Sequence, residues 1–255
     1  MSDTRHDDGS RRDLLAALTA FVAGLMVTSL AWSGVGEPWR TILYHFVFAL
    51  GICIMFPTWY MVTTGRTLGD IGLSLKGFRW NALVGVLAVC VTVPWRLGPV
   101  TIPDLMTVIV LVAAMSFSTL FEEVFFRGFL QTRAEAVLGP IPAIGCSALA
   151  FALYHLGYGP EWWHVQTMIK MVLVGIMFGV AFQLTRNIAT SFILNLPHAV
   201  VTFLERREYF GPRAAITSLT VVALASVWLT IMSVRRGSIV APERCDSHTT
   251  REQPG

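Results

Sequence analysis

The sequence predicts an all-α fold, a polytopic bundle of about eight transmembrane helices, and three observations support this class. The 255-residue chain is 54% hydrophobic and only 14% charged, whereas a soluble domain carries about 25% charged residues. Its apolar runs repeatedly reach the roughly 20 residues that a helix needs to cross the hydrocarbon core. Three ionisable residues lie within six positions of one such run, which is typical of a functional site inside a membrane.

The apolar runs define eight candidate spans separated by polar connections. In chain order they cover residues 14–33, 41–62, 81–98, 106–131, 139–157, 167–185, 187–205 and 214–233. We therefore expect a membrane-embedded domain over 14–233, a polar tail over 1–13 and a disordered tail over 234–255. The first run is longer than the apolar region of a cleaved signal peptide, which has about 7–15 residues, so it is predicted to be a retained helix.

The basic residues are distributed unevenly between the predicted loops. Thirteen of the 19 Lys and Arg residues fall on the side of the N-terminus and six on the other. The positive-inside rule then predicts both termini in the cytoplasm, and the compact form favours a bacterial cytoplasmic (inner) membrane protein. The net charge of +3 is spread without a basic stripe, so the lipid bilayer is an expected partner and nucleic acid is not.

The ionisable cluster of the fourth run consists of Glu122, Glu123 and Arg127. Each charge at the centre of a membrane costs at least about 2.5–3.5 kcal/mol on insertion scales, so these groups need partners, water or a proton. Glu123 and Arg127 are four residues apart and share a helix face, whereas Glu122 points about 100 degrees away. Two neighbouring acids with different surroundings can divide acid and base roles between them.

Two later apolar runs also carry polar side chains. His155 ends the segment FALYH, and Asn195 and His198 lie in LNLPHAVV. Pro197, between the latter two, is expected to break or kink its helix. If these side chains converge with Glu122 on one cavity, they are the parts of a site that activates water and stabilises an oxyanion.

The segments EEVFFR, residues 122–127, and FALYH, residues 151–155, resemble the paired motifs EExxxR and FxxxH. These motifs belong to the CPBP family of CAAX-processing and bacteriocin-processing membrane proteases, also called Abi or Rce1-like. The resemblance covers about residues 106–204, and LGDIGLSLKGFRW resembles the segment that often precedes this core. It implies a glutamic-type intramembrane endopeptidase, without a cofactor, that cleaves a membrane-associated polypeptide during C-terminal, leader or sorting-tail processing.

The resemblance also implies roles for individual residues. Glu122 corresponds to the catalytic acid/base and His155 to its partner, and Glu123 and Arg127 match the supporting positions. The family's third motif, a His followed four residues later by Asn, is altered here. Spacing puts Asn195 at the usual position of the His, whereas His198, with Thr202 four residues later, supplies a His. We favour His198 for the oxyanion-side role, with Asn195 as the alternative.

No metal is expected, because the chain lacks HExxH and a zinc site built from Glu122, His155 and His198 would be unusual. Two other functions stay open. The altered third motif is compatible with an inactive scaffold or immunity-type factor of the same fold. Glu122 and His155 are also compatible with the proton relay of a small transporter.

The depth of the two principal residues in the membrane poses a geometric question. In a plain up-and-down layout, Glu122 and His155 differ in depth by on the order of 10–15 Å at 1.5 Å per residue. The difference vanishes if the fourth helix continues past Arg133, or if the turn at Gly139 and Pro140 lies within the membrane.

Overall fold

The computed structural model describes residues 3–93, 103–206 and 212–239, and every regular element in these ranges is helical. The prediction of an all-α bundle is therefore confirmed. The described residues form eight helices: α1 (Asp3–Trp32), α2 (Glu37–Thr63), α3 (Phe78–Thr92), α4 (Leu105–Leu138), α5 (Pro140–His155), α6 (Val165–Thr185), α7 (Ile188–Arg206) and α8 (Pro212–Ile239). Short 3-10 turns cover Leu68–Ile71, Leu156–Tyr158 and Pro160–Trp162.

Five of the described helices are long and apolar enough to cross a membrane, which supports an integral membrane protein. They are Gly9–Trp32, Glu37–Thr63, Leu105–Leu138, Pro140–Tyr158 and Val165–Thr185. The other three contain shorter apolar stretches, Phe78–Thr92, Ile188–Leu204 and Ile216–Met232, so the count of eight spans stays a prediction. The predicted tail over 234–255 falls largely on residues 240–255, which lie outside the described ranges.

The central helix α4 has well-defined ends. The Asp104 side chain caps its start by accepting a hydrogen bond from the Thr107 backbone N–H at 3.1 Å, as Asp commonly does at an N-cap. Gly139, with φ +82°, follows its last residue and adopts a conformation that is unstrained only without a Cβ. Pro140 then starts α5, where its missing N–H costs nothing. The two helices are therefore joined by a one-residue turn.

This turn brings Glu122 and His155 to similar depth. Because α4 continues past Arg133 to Leu138, Glu122 lies 17 residues before Gly139 and His155 lies 16 after it. At 1.5 Å per residue both are about 25 Å from the turn. Of the two solutions that the sequence left open, the structure shows the longer fourth helix.

The core is packed mainly with aromatic rings. Rings from α4 meet those of α2 and α5: Phe121 lies 5.4 Å from Phe48, and Phe126 lies 5.5 Å from Tyr154, measured between centroids. These separations lie in the range where aromatic pairs attract beyond simple burial. Helix α4 therefore runs through the middle of the bundle, which places Glu122 and Glu123 deep in the protein.

The loop after α2 ties α4 to the start of α7. A Cβ on Gly128 of α4 would come within 2.6 Å of the Ile71 carbonyl oxygen, so only glycine allows this approach. One residue later, the Gly72 carbonyl oxygen accepts a hydrogen bond from the Ile188 N–H at 3.1 Å. Ile71 and Gly72 belong to the segment LGDIGLSLKGFRW, which thus sets the position of α7 against α4.

The first helix is attached through Asp13, the last residue of the predicted N-terminal tail. Its side chain is buried, accepts a hydrogen bond from the Tyr60 hydroxyl and forms an ion pair with Arg66. The Arg133 Nη1 lies 3.9 Å from the Asp13 Oδ2. A buried carboxylate requires such partners. Asp13 therefore links α1 to the end of α2 and to α4.

We expect the close contact between α5 and α6 to tolerate no extra methyl group. A Cβ on Gly175 of α6 would come within 2.9 Å of the Ala148 Cα, whereas a Cβ on Gly145 of α5 would meet nothing within 4 Å. Gly175→Ala should lower the free energy of unfolding by about 1–3 kcal/mol, the usual cost of overpacking. Gly145→Ala is the matched control and should not destabilise. Thermal unfolding in detergent micelles measures both, and equal effects would contradict this packing.

Candidate active site

The backbone of α4 changes its winding at the two glutamates. Leu105–Glu122 is α-helical, and Glu123–Gln131 is π-helical, with all nine π-helical residues buried. A π-helix forms i→i+5 hydrogen bonds, and short stretches of it occur often at functional sites. The wider turn changes which side chains share a face, so spacing rules for an α-helix hold only approximately from Glu123 onward.

The two carboxylates share one amide donor from α7. The Nδ2 atom of Asn195 lies 3.2 Å from the Glu122 Oε2 and 2.9 Å from the Glu123 Oε1. An Asn amide has two N–H groups, so it can donate to both acids at once. All three side chains are buried, with exposed fractions of 8%, 0% and 4% for Glu122, Glu123 and Asn195. This contact joins the first and third predicted polar segments directly.

Arg127 is buried on the side of Glu123. Its Nε lies 3.8 Å from the Glu123 Oε2, and its Nη1 donates to the Ser147 Oγ at 2.9 Å. The guanidinium also lies over the rings of Phe151 and Phe178, at 4.9 and 5.8 Å from their centroids, where a cation is attracted by the ring face. The ion pair between Glu123 and Arg127 that the four-residue spacing predicted is therefore present.

His155 lies at the C-terminal end of α5 with a defined ring orientation. Its Nδ1 is 2.7 Å from the Phe151 carbonyl oxygen. Because a carbonyl oxygen can only accept, Nδ1 carries the hydrogen and a neutral ring presents the Nε2 lone pair. The ring packs against Phe151, Tyr154 and Trp162, with centroids 4.7–5.1 Å away. His155 is therefore arranged to accept a proton or hydrogen bond through Nε2.

His155 and Glu122 share neighbours. Tyr154 and Tyr158 contact the imidazole ring, and both interact electrostatically with the Glu122 carboxylate. The second predicted polar segment, which contains His155, therefore has two tyrosines as neighbours that also lie within range of the Glu122 charge.

His198 lies one turn beyond Asn195 on α7 and contacts α3. Its Nε2 is 2.9 Å from the Thr92 Oγ1, and its backbone carbonyl accepts a hydrogen bond from Thr202 at 2.9 Å. Helix α7 continues through Pro197 rather than ending there. Of the two residues considered for the third motif, Asn195, which the sequence analysis favoured less than His198, donates hydrogen bonds to both glutamates.

Ser191 is a site residue that the sequence analysis missed. It is fully buried and its side chain interacts with Glu123, on the same helix face as Asn195 four residues later. The signal was the spacing itself: Ser191 and Asn195 reproduce the four-residue interval of the third motif, with Ser in the place of His. Among the described residues, no group of three or more His, Cys, Asp or Glu side chains is placed to hold a metal ion.

The site residues lie in a segment that is similar to a known protein family. Residues 104–204 match the family model described as type II CAAX prenyl endopeptidase Rce1-like. No curated protein and no solved structure matches the chain. The matched segment runs from the start of α4 to the end of α7 and includes every predicted site residue. Residues 104–204 are therefore similar to the Rce1-like family of membrane peptidases, the same family that the sequence motifs resemble.

Proposed function

We propose that this protein is a glutamic-type intramembrane endopeptidase that hydrolyses a peptide bond of a membrane-associated polypeptide. The observation that carries this proposal is the Asn195 amide shared by Glu122 and Glu123 inside the segment that is similar to the Rce1-like family. It supports a buried site in which one acid, Glu123, is paired with Arg127 and the other is held for proton transfer. A site of this kind suits general acid–base hydrolysis.

In the proposed reaction, a water molecule lies between the Glu122 carboxylate and the His155 Nε2. Glu122 takes one proton from the water as the water oxygen attacks the carbonyl carbon. His155 orients the water by accepting a hydrogen bond from its second O–H, which stays on the attacking oxygen. The tetrahedral intermediate then releases the amine, and Glu122 returns the proton to the leaving nitrogen. Water supplies the oxygen of the new carboxyl group, so no other reactant is needed.

Asn195 is our proposed donor to the oxyanion. Its shorter hydrogen bond, to Glu123, orients the amide, and the longer one, to Glu122 at 3.2 Å, is the bond that a substrate oxyanion replaces when Glu122 takes up a proton. Preoriented donors in a water-poor site are the main source of oxyanion stabilisation. Glu123, Arg127 and Ser191 hold this amide in place and take no part in proton transfer.

The proposal predicts that substitution of Asn195 lowers kcat far more than substitution of His198. Asn195→Leu keeps the size of the side chain but removes both hydrogen bonds, and should lower kcat about 100-fold or more, as loss of an oxyanion donor does. His198→Phe keeps the ring beside Phe178 and should lower kcat by less than about tenfold, because the hydrogen bond that it loses to Thr92 does not involve the glutamates. Steady-state cleavage kinetics measure both. The reverse order would assign the oxyanion role to His198.

The substrate class is tested with the full-length protein in liposomes. Two probes are offered: a peptide with a prenylated C-terminal CAAX segment, and a transmembrane peptide with a polar C-terminal tail. In water enriched in ¹⁸O, mass spectrometry should find one heavy oxygen in the new C-terminal carboxylate. A scaffold would yield no product from either probe, and a transporter would move protons without cleavage.

Reporter fusions at each end test our proposal that both termini face the cytoplasm of a bacterial cell.

A further inference from the structure

Three side chains of the π-helical part of α4 carry buried polar atoms that form no hydrogen bond with the described residues. The atoms are the Oε2 of Glu123, the Nε and Nη2 of Arg127 and the Oε1 of Gln131, and all three side chains are 0% exposed. In the described part of the chain, seven buried side-chain nitrogen and oxygen atoms are unbonded in this way, and these are four of them. Because an unbonded buried polar atom is unfavourable, their concentration in one stretch of helix indicates a bound ligand.

The three residues are spaced four apart, and two of them contact the same turn of α6. The guanidinium of Arg127 lies 5.8 Å from the ring centroid of Phe178. The Nε2 of Gln131 donates to the carbonyl oxygen of the next residue, Gly179, at 3.0 Å and to the Oε1 of Gln183 at 3.3 Å. Both N–H groups of the Gln131 amide are therefore used, and its oxygen is the atom left without a partner.

The interface between α4 and α6 leaves room beside these atoms. A Cβ on Gly179 would lie 3.0 Å from the Gln131 Oε1 and 3.1 Å from the Ile144 Cγ2, so the glycine keeps that oxygen uncovered. The Arg127 Nε and the Glu123 Oε2 are 3.8 Å apart, which is too far for a direct hydrogen bond. A polar contact at such a separation is commonly mediated by water.

The chemistry of the four atoms matches water. The two nitrogens of Arg127 can only donate hydrogen bonds, whereas the Glu123 carboxylate and the Gln131 amide oxygen accept them. A cation would be repelled by Arg127 and an anion by Glu123, but water both donates and accepts. A buried water molecule forms about three hydrogen bonds, so four unbonded atoms suit one or two ordered water molecules.

We infer that ordered water is bound between α4 and α6 by Glu123, Arg127 and Gln131 and, on the basis of the proposed function, that it mediates the contact through which Arg127 holds Glu123 in place. The Glu123 Oε1 accepts the 2.9 Å hydrogen bond that orients the Asn195 amide. The bound water therefore acts on the proposed oxyanion donor through Glu123, and Gln131 is a positioning residue. This water is separate from the molecule that the proposed reaction consumes.

Radiolytic footprinting of the full-length protein in micelles tests for this water without any substrate. X-rays convert water to hydroxyl radicals, and radicals formed from a bound water oxidise the side chains beside it. Phe178 and Phe129 are both 0% exposed, but Phe178 lies beside Arg127, whereas Phe129 packs on Phe56 and Tyr60. Peptide mass spectrometry should find Phe178 oxidised and Phe129 unmodified. Equal oxidation of the two rings would overturn the inference.

Two substitutions displace the water by different means. Gln131→Leu removes an acceptor at similar size, and Gly179→Ala places a methyl group in the space beside that acceptor. Both should reduce the oxidation of Phe178 to the level of Phe129. The control is Gly145→Ala, whose Cβ would meet nothing within 4 Å and which should leave the oxidation unchanged. Thermal unfolding checks that each variant is folded, and unchanged oxidation of Phe178 in a folded variant of either kind would overturn the inference.

Steady-state kinetics test the positioning role separately. Gln131→Leu should lower kcat about tenfold, because the Asn195 amide is held less firmly, and should change KM by less than about twofold. Gly145→Ala should keep both constants of the wild type. A wild-type kcat in Gln131→Leu would overturn the positioning role. If the wild type cleaves no peptide, the proposed function fails, while the oxidation of Phe178 still decides whether water is bound between α4 and α6.

Discussion

Glu122→Gln should abolish peptide cleavage, lowering kcat/KM by about 1,000-fold or more, within the range that general acid–base groups contribute. The substitution preserves shape, and the Gln amide oxygen can still accept the hydrogen bond that Asn195 donates to Glu122. It removes the capacity to take a proton from water and return it to the leaving amine. Cleavage kinetics in liposomes measure this loss. Thermal unfolding of the variant checks that it is folded.

Glu135→Gln is the matched control on the same helix. The Glu135 carboxylate lies near the end of α4, where it pairs with Arg186 and accepts a hydrogen bond from Gln183 at 2.9 Å. Its neutralisation changes the charge of α4 by the same amount but leaves the site intact, so activity should stay within about twofold of the wild type. If Glu122→Gln keeps more than a tenth of the activity, Glu122 is not the acid/base, and the scaffold and transporter hypotheses regain weight.

Arg127→Met should have the largest effect on stability. Glu123 and Arg127 are both fully buried, and removal of one partner leaves the other charge uncompensated. Breaking a buried pair in this way costs about 3–5 kcal/mol. The substitution also removes the cation from the faces of Phe151 and Phe178. We expect a large drop in the free energy of unfolding, measured by denaturation in mixed micelles, together with a low yield of folded protein.

The double variant Glu123→Gln/Arg127→Met separates charge from packing. The Gln that replaces Glu123 can still accept the hydrogen bond from Asn195. Because this Gln is neutral, the loss of the Arg127 cation leaves no unpaired charge at position 123. The double variant should therefore be more stable than Arg127→Met alone, with a coupling energy of about 1–3 kcal/mol in the double-mutant cycle. Strictly additive losses would show that Arg127 stabilises the bundle through Ser147 and the aromatic rings instead of through the carboxylate.

Much of the fold could be predicted from local patterns. Apolar runs of about 20 residues predicted helices close to those observed, because a helix buried in lipid must satisfy its backbone internally. The boundaries were less accurate. The fourth span was predicted over 106–131, whereas α4 runs over Leu105–Leu138, since the polar residues after Gln131 mark no helix end and the chain turns only where Gly139 permits a positive φ.

The candidate site was predictable in its components but not in its connections. The spacing of Glu123 and Arg127 predicted their contact, but the π-helical winding that begins at Glu123 has no signature in an apolar pattern. For the third motif the sequence analysis favoured His198, with Asn195 as the alternative, because the two residues are three positions apart on one helix and their spacing does not show which of them faces α4. The structure orients Asn195 toward the acids and His198 toward Thr92.

By itself, the sequence determined the all-α membrane class of the protein, the resemblance of residues 106–204 to a family of membrane peptidases and the residue types capable of hydrolysis. These follow from composition, run length and short motifs, which depend on neighbours along the chain. Only the tertiary structure decided which of those residues meet, above all the Asn195 amide that Glu122 and Glu123 share, and how far Glu122 and His155 lie from the turn between α4 and α5. The two hydrogen bonds of Asn195 join residues 73 and 72 positions apart along the chain, and their geometry depends on how whole helices pack.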